Sequence, residues 1–182
     1  RRDVVAILEK HGGKLSQRKR LLDAGCGHGE FLSSVNTNVE CWGFDVSSSA
    51  IELAKERNLN ARLENIDIMG IPVERDGFVL DGAFDYVTCL GTIEHTMDPS
   101  DSFRRLMRLL NAGGILLITA PLQFKDCMSY IEAELNGKTN ERFCDWEEWV
   151  RMLGPQQPEE WIRVGDSDQK DIWMVYKKGD TC

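Results

Sequence analysis

The stretch Leu21-Leu22-Asp23-Ala24-Gly25-Cys26-Gly27-His28-Gly29-Glu30-Phe31 constrains this chain more than any other. An apolar run of strand type ends in glycines at alternate positions, and helical spacing follows over Glu30 to Val35. A strand that enters a helix through such a turn aims backbone N–H groups at whatever binds at the strand's carboxyl end. Glycines at 25, 27 and 29 let the backbone turn sharply and approach a ligand that a Cβ would obstruct. The spacing is G-x-G-x-G, whereas a turn that seats a pyrophosphate needs G-x-G-x-x-G, and position 30 is Glu, an anion near where the phosphates would lie. The turn therefore favours a nucleoside with an uncharged linker over NAD or FAD.

Strand-like runs recur at Arg20 to Ala24, Val39 to Phe44, Ala61 to Ile66, Phe84 to Leu90 and Gly114 to Ala120. Three-to-four-residue periodicity lies between them, at Glu30 to Val35, Ser48 to Arg57 and Asp101 to Leu110. In the last of these Phe103, Leu106, Met107 and Leu110 share a face opposite Arg104, Arg105 and Arg108. Strand alternating with helix predicts a parallel sheet covered on both sides. A first helix runs from Val4 to the break at Gly12-Gly13. After Pro121 come a loop and a polar helix around Met128 to Leu135, then Trp146 to Leu153 with Asp145 as its N-cap and Gly154-Pro155 as its stop. Trp161 to Val164 and Ile172 to Tyr176 read as an antiparallel hairpin at a sheet edge. The 182 residues suffice for one domain with its own core. The expected division is residues 1–19 as N-terminal helix and basic turn, 20–121 as the ligand-binding core, and 122–182 as a substrate-side segment and terminal hairpin.

Charge and cysteine content narrow the partners. A net charge of −8 argues against a broad nucleic-acid footprint, although residues 1–20 carry +5 against −13 for the other 162. That basic end is read as a solvated face, with a dock for an anionic partner as the alternative. Six cysteines without a C-x-x-C pair argue against zinc and fit reduced thiols in a cytoplasmic setting. No run approaches the roughly eighteen apolar residues of a membrane span, so a soluble protein is expected.

Further carboxylates stand at strand ends. Asp45 closes Trp42-Gly43-Phe44-Asp45-Val46-Ser47, twenty residues after Gly25, where a carboxylate can accept both ribose hydroxyls of a nucleoside. Asp67 ends the third strand, and Asp85 opens the fourth. Taken in order, Leu-Asp-x-Gly-x-Gly-x-Gly, Gly-x-Asp-x-Ser, Asp-x-x-x-x-Pro, Phe-Asp-x-Val followed by Glu94-His95, and Gly-Gly-x-Leu-Leu resemble the class I S-adenosylmethionine-dependent methyltransferases, most of all their small ubiquinone-biosynthesis-like branch.

The resemblance implies an α/β, Rossmann-like three-layer sandwich, with a seven-stranded mostly parallel sheet and a C-terminal antiparallel hairpin. It implies S-adenosyl-L-methionine as methyl donor, S-adenosyl-L-homocysteine as product, and a small-molecule acceptor methylated at oxygen, nitrogen or carbon. Gly25, Cys26 and Gly27 would approach the methionine moiety, with Asp23 holding its ammonium through the loop. Asp45 would take the ribose hydroxyls and Val46 pack on the adenine, while Asp67 would accept from the adenine amino group and Ile68 contact the ring. Leu90 and Gly91 would line the methyl-donor side. His95 is the candidate base, with Glu94 as a loop anchor, and no metal is expected. Tyr130, Phe143, Trp146 and Trp149 are candidates for a substrate wall, the two tryptophans having helix-to-sheet packing as their alternative. Two departures from the family pattern stand out. Ala112 replaces a usual proline, and one short helix stands for the N-terminal lid, so that either the 122–160 segment largely holds the acceptor or residues before Arg1 supply the lid. The competing readings are an RNA or protein methyltransferase docked through the basic end, and a catalytically silent binding or scaffold subunit of the same fold.

Overall fold

Leu21 and Leu22 are both fully buried, yet they belong to different clusters, because successive strand residues point to opposite faces of one sheet. The computed structural model describes residues 2–16, 18–35, 38–57, 60–72, 74–75, 77–122, 145–165 and 170–179. Its elements are α1 (Arg2–Gly12), β1 (Arg20–Ala24), β2 (Glu40–Asp45), α2 (Ser48–Arg57), β3 (Ala61–Asn65), β4 (Glu74–Arg75), β5 (Phe78–Val79), β6 (Phe84–Leu90), α3 (Pro99–Leu109), β7 (Leu110–Pro121), α4 (Trp146–Leu153), β8 (Glu160–Gly165) and β9 (Lys170–Lys177). Seven strands form one sheet in the order β3-β2-β1-β6-β7-β9-β8. All neighbours from β3 to β7 pair in parallel, and β9 runs antiparallel to both β7 and β8. This is the expected α/β sandwich with its terminal antiparallel pair.

One face carries Leu22, Trp42, Phe44, Val87, Leu116 and Ile118 beneath α3 and α4; the other carries Leu21, Cys41, Tyr86, Ile115 and Leu117 beneath α1 and α2. Near-continuous apolar strands are what a sheet covered on both faces requires. Phe84 and Tyr86 fall in different clusters despite their even spacing, because the β6–β7 register shifts between them. The Asn111-Ala112-Gly113-Gly114 turn is absorbed in that shift: Phe84 pairs with Leu110 but Tyr86 with Ile115. Tyr86 also ties down α1, its hydroxyl donating to Gly13 O at 2.6 Å while its ring lies where a Cβ on Gly12 would stand.

One expectation needs correction, and one element is additional to those expected. The helix expected over Glu30 to Val35 is only a 3₁₀ turn, Leu32–Ser34. Ser33 Oγ donates to Gly29 O at 2.8 Å and Ser34 Oγ to Phe31 O at 2.6 Å, and such side-chain bonds compete with a regular ladder. In the connection from β3 to β6 the chain forms a small antiparallel hairpin, β4–β5, whose Phe78 ring sits 5.0 Å from that of Trp42. The helix expected near Met128 to Leu135 lies outside the described residues.

Candidate functional site

The chain lays down β1, β2 and β3 progressively outward, then returns to place β6 on the other side of β1. The loops leaving β1 and β6 therefore diverge, opening a crevice at their carboxyl ends, which is where ligands bind in open parallel sheets. The loops that leave β1, β2, β3 and β6 carry the cofactor residues expected from sequence.

Gly25 and Gly27 occupy the left-handed region at φ +81° and +51°. At Gly27 nothing lies within 4 Å of where a Cβ would stand, so the turn is open on that side. At Gly25 a Cβ would fall 2.3 Å from Thr92 Cγ2 and Oγ1, so Gly25 is required by packing as well as by φ. The N–H groups of Gly25 and Cys26 both donate to Phe44 O, at 2.7 and 3.0 Å, fastening the turn to the end of β2. Cys26 is buried, with its sulfur near Gly43, and burial pushes its thiol up to about 12. At position 26 it is thus the backbone that serves the turn.

Asp45 does more than sequence reading suggests. Its Oδ2 accepts the Gly27 N–H at 2.8 Å and its Oδ1 the Ser47 N–H at 2.9 Å, so one carboxylate couples the glycine turn to the loop that starts α2. A carboxylate offers about four lone-pair sites, so roughly two remain for hydroxyls of a ligand. Asn65 Nδ2 in turn holds Asp45 O at 2.9 Å. Next to it Val46 is 71% exposed, an apolar side chain at the crevice with no protein cover. Asp67 is exposed and repeats the local device, its Oδ1 accepting Met69 N–H at 2.9 Å and so fixing the turn that buries Ile68.

Asp23 lies deeper. It is 2% exposed, and the Thr88 hydroxyl donates to its Oδ1 at 2.7 Å. Burial pushes its carboxyl up to about 7; the Thr88 bond works against that rise and the nearby Asp45 charge adds to it. A cation at the crevice would favour the ionised form, so the position suits a neighbouring ammonium.

On the β6 side, Gly91 at φ +58° donates its N–H to Thr119 Oγ1 at 2.9 Å and to Thr119 O at 3.2 Å. Leu90 is half-buried and Gly91 exposed. The 3₁₀ turn Ile93–His95 follows, with Glu94 buried and His95 nearly half exposed, His95 Nε2 standing 4.0 Å from Glu94 Oε1. His95 therefore belongs to the loop that leaves β6 and is open to solvent.

Of the substrate-wall candidates, Tyr130 and Phe143 lie outside the described residues. Trp149 is a correction: it is fully buried in the core beneath α4, and its Nε1 donates to Pro121 O at 2.9 Å, so packing accounts for it. Trp146 is partly exposed and stacks on Trp161 with ring centroids 4.9 Å apart. A shallow groove of about 510 Å³ lies beside it, lined also by Val150, Arg151 and Pro155.

The basic end stands away from these loops. Lys19 pairs with Asp85 at 2.8 Å and Arg20 with Glu40 at 2.9 Å. Both sit where β1 begins, a five-residue strand away from the glycine turn, roughly 15 Å. Among the described residues, no cluster of three or more His, Cys, Asp or Glu is arranged to hold a metal, and no helix is long and apolar enough to cross a membrane.

A family model described as a methyltransferase domain matches residues 1–166. Among curated proteins, the ubiquinone biosynthesis O-methyltransferases of Albidiferax ferrireducens and Acinetobacter baylyi are 33% and 30% identical over 97 and 108 residues. Those stretches are 53% and 59% of this chain but only 38% and 45% of the relatives, so the match spans less than half of their length. Among solved structures, geranyl diphosphate C-methyltransferase from Streptomyces coelicolor A3(2), crystallised with Mg²⁺, geranyl diphosphate and S-adenosyl-L-homocysteine, superposes with a TM-score of 0.76 at 14% identity. It covers 97% of this chain and 79% of its own, a likeness of fold. With the ordered motifs, the strand order and a family match over most of its length, this chain belongs to the methyltransferase domain family, with the class I architecture.

Proposed function

We propose that this chain binds S-adenosyl-L-methionine and transfers its methyl group to an oxygen, nitrogen or carbon of a small-molecule acceptor. The observation that carries the reading is the convergence of Gly25–Gly27, Asp45, Asp67 and Leu90–Gly91 on one crevice, with Asp45 hydrogen-bonded to the glycine turn. The residues fit the donor. An open glycine turn accommodates the methionine chain, the remaining lone pairs of Asp45 take two ribose hydroxyls, and Val46 offers an apolar platform for a base. When bound, the sulfonium supplies an already electrophilic methyl group. The chain's own task is to orient the acceptor in line and exclude water.

To His95 we assign the role of taking a proton from an acceptor that is protonated at neutral pH. The imidazolium so formed would stand 4.0 Å from the buried Glu94 carboxylate, a favourable partner. The acceptor side is assigned to Trp146 and, among residues outside the description, Tyr130 and Phe143. The small-molecule reading is preferred to an RNA or protein substrate because Lys19 and Arg20 are paired and face away from the crevice. Reduced, buried Cys26, Cys41 and Cys89 accord with a cytoplasmic setting.

A thermal-shift comparison tests the donor. A ligand that binds only the native state raises the melting temperature. S-adenosyl-L-homocysteine should do so and NAD should not; a shift with NAD alone would overturn the proposal.

A further inference from the structure

Thr92 occupies the N-cap position of the turn Ile93–His95, where a threonine side chain ordinarily accepts a backbone N–H of the turn it precedes. It makes no such bond. Its Oγ1 is instead directed to two backbone carbonyls from different loops, Leu90 O at 3.2 Å and Gly25 O at 3.5 Å. The same side chain lies flat on Gly25, filling the space that a Cβ there would claim. The hydroxyl thus links the loops at the ends of β1 and β6. Gly91, between Leu90 and Thr92, is itself anchored to Thr119 on β7.

Two carbonyl oxygens drawn toward one hydroxyl donor, with the carboxyl group of Asp23 buried two residues upstream of Gly25, form an oxygen-rich corner. Only a donor, best a cationic one, complements such a corner. On the functional reading above, the donor that reaches the glycine turn is the α-ammonium of the methionine moiety. We infer that Thr92 is a positioning residue, whose hydroxyl fixes the Gly25 and Leu90 carbonyls at the spacing that receives the amino-acid end of the ligand. It acts through the backbone and takes no part in methyl transfer.

The test separates the two ends of the ligand. S-adenosyl-L-homocysteine carries the amino-acid group, and 5′-methylthioadenosine has the same nucleoside without it. Calorimetric dissociation constants are measured for both with wild type, Thr92→Ser and Thr92→Val, with denaturation midpoints alongside. Loss of one neutral hydrogen bond sets the scale. Thr92→Val should weaken S-adenosyl-L-homocysteine roughly five- to tenfold and change 5′-methylthioadenosine less than about twofold, and Thr92→Ser should restore wild-type affinity. A merely structural role would weaken both ligands alike, in step with stability, and that result overturns the proposal, as does unchanged homocysteine-ligand affinity in Thr92→Val. If Thr92→Val does not fold, Thr92→Ala is read by the same criteria. A wild type that binds neither ligand overturns the functional reading and this proposal with it; wild-type binding with an unaffected Thr92→Val overturns the proposal alone.

Discussion

Replacing Asp23 with asparagine separates the stability of the crevice from its affinity for a cation. Asp23 is buried under the glycine turn, and its carboxyl is raised from 3.8 to about 7, chiefly by burial. An acid with a raised native pKa contributes full stability below the unfolded value and loses it as pH climbs through the native one. The window is therefore about pH 4 to 7, and at 1.36 kcal/mol per unit the gap amounts to ~4 kcal/mol. Asparagine cannot ionise, so the variant has no such loss. Its carbonyl can keep the Thr88 hydroxyl bond, while an amide N–H₂ left without an acceptor costs about 1–3 kcal/mol at every pH. Urea unfolding of both proteins from pH 4 to 8 should show Asp23→Asn at or below wild type at pH 4 and above it at pH 8, the difference between the two proteins swinging by ~4 kcal/mol. At pH 8 the same variant should bind S-adenosyl-L-homocysteine more weakly, because the anion that attracts its ammonium is gone. A stability difference that stays constant across the pH range would refute the reasoning.

The helix that follows the undescribed segment gives a paired expectation. Trp149→Ala should destabilise by about 3–5 kcal/mol with an equal fall in ligand-free and ligand-bound forms, and Trp146→Ala, at a partly exposed stacked position, by about 1 kcal/mol while altering acceptor KM; denaturation and steady-state kinetics distinguish them, and equal destabilisation would contradict the assignment. With an oxygen or nitrogen acceptor protonated at neutral pH, His95→Ala should lower kcat by about 10²-fold or more. Unchanged turnover across pH would leave orientation as the whole mechanism.

What the sequence disclosed and what it concealed divide along the range of the interactions. Arg20 to Ala24 and Phe84 to Leu90 are strands at those bounds, because apolar runs closed by glycine are local signals. Asp98-Pro99 starts α3 as cap and first residue, and Asp145 with Glu148 forms the capping box of α4. The β4–β5 hairpin had a signal too, the Asp76-Gly77 dipeptide, but its two-residue strands are too brief for periodicity, and the first of them, Glu74-Arg75, is charged. Trp146, Trp149, Val150 and Leu153 recur at helical spacing, the mark of a core face, and three of the four are buried. The bonds that build the site were not legible. Asp45 reaches Gly27 over 18 residues, and Thr92 reaches Gly25 over 67. Such contacts arise only when β2 and β6 flank β1, so the residue types could be named from sequence, but not the interactions that hold them.

The most direct test of the account is isothermal titration of S-adenosyl-L-homocysteine into wild type and Asp45→Ala. Losing the charged acceptor of two ribose hydroxyls, together with the Gly27 and Ser47 N–H bonds that shape the turn, should weaken binding by about 3 kcal/mol, on the order of 10²-fold, with the protein still folded. A dissociation constant equal to that of wild type would contradict the assignment of this crevice as the cofactor site.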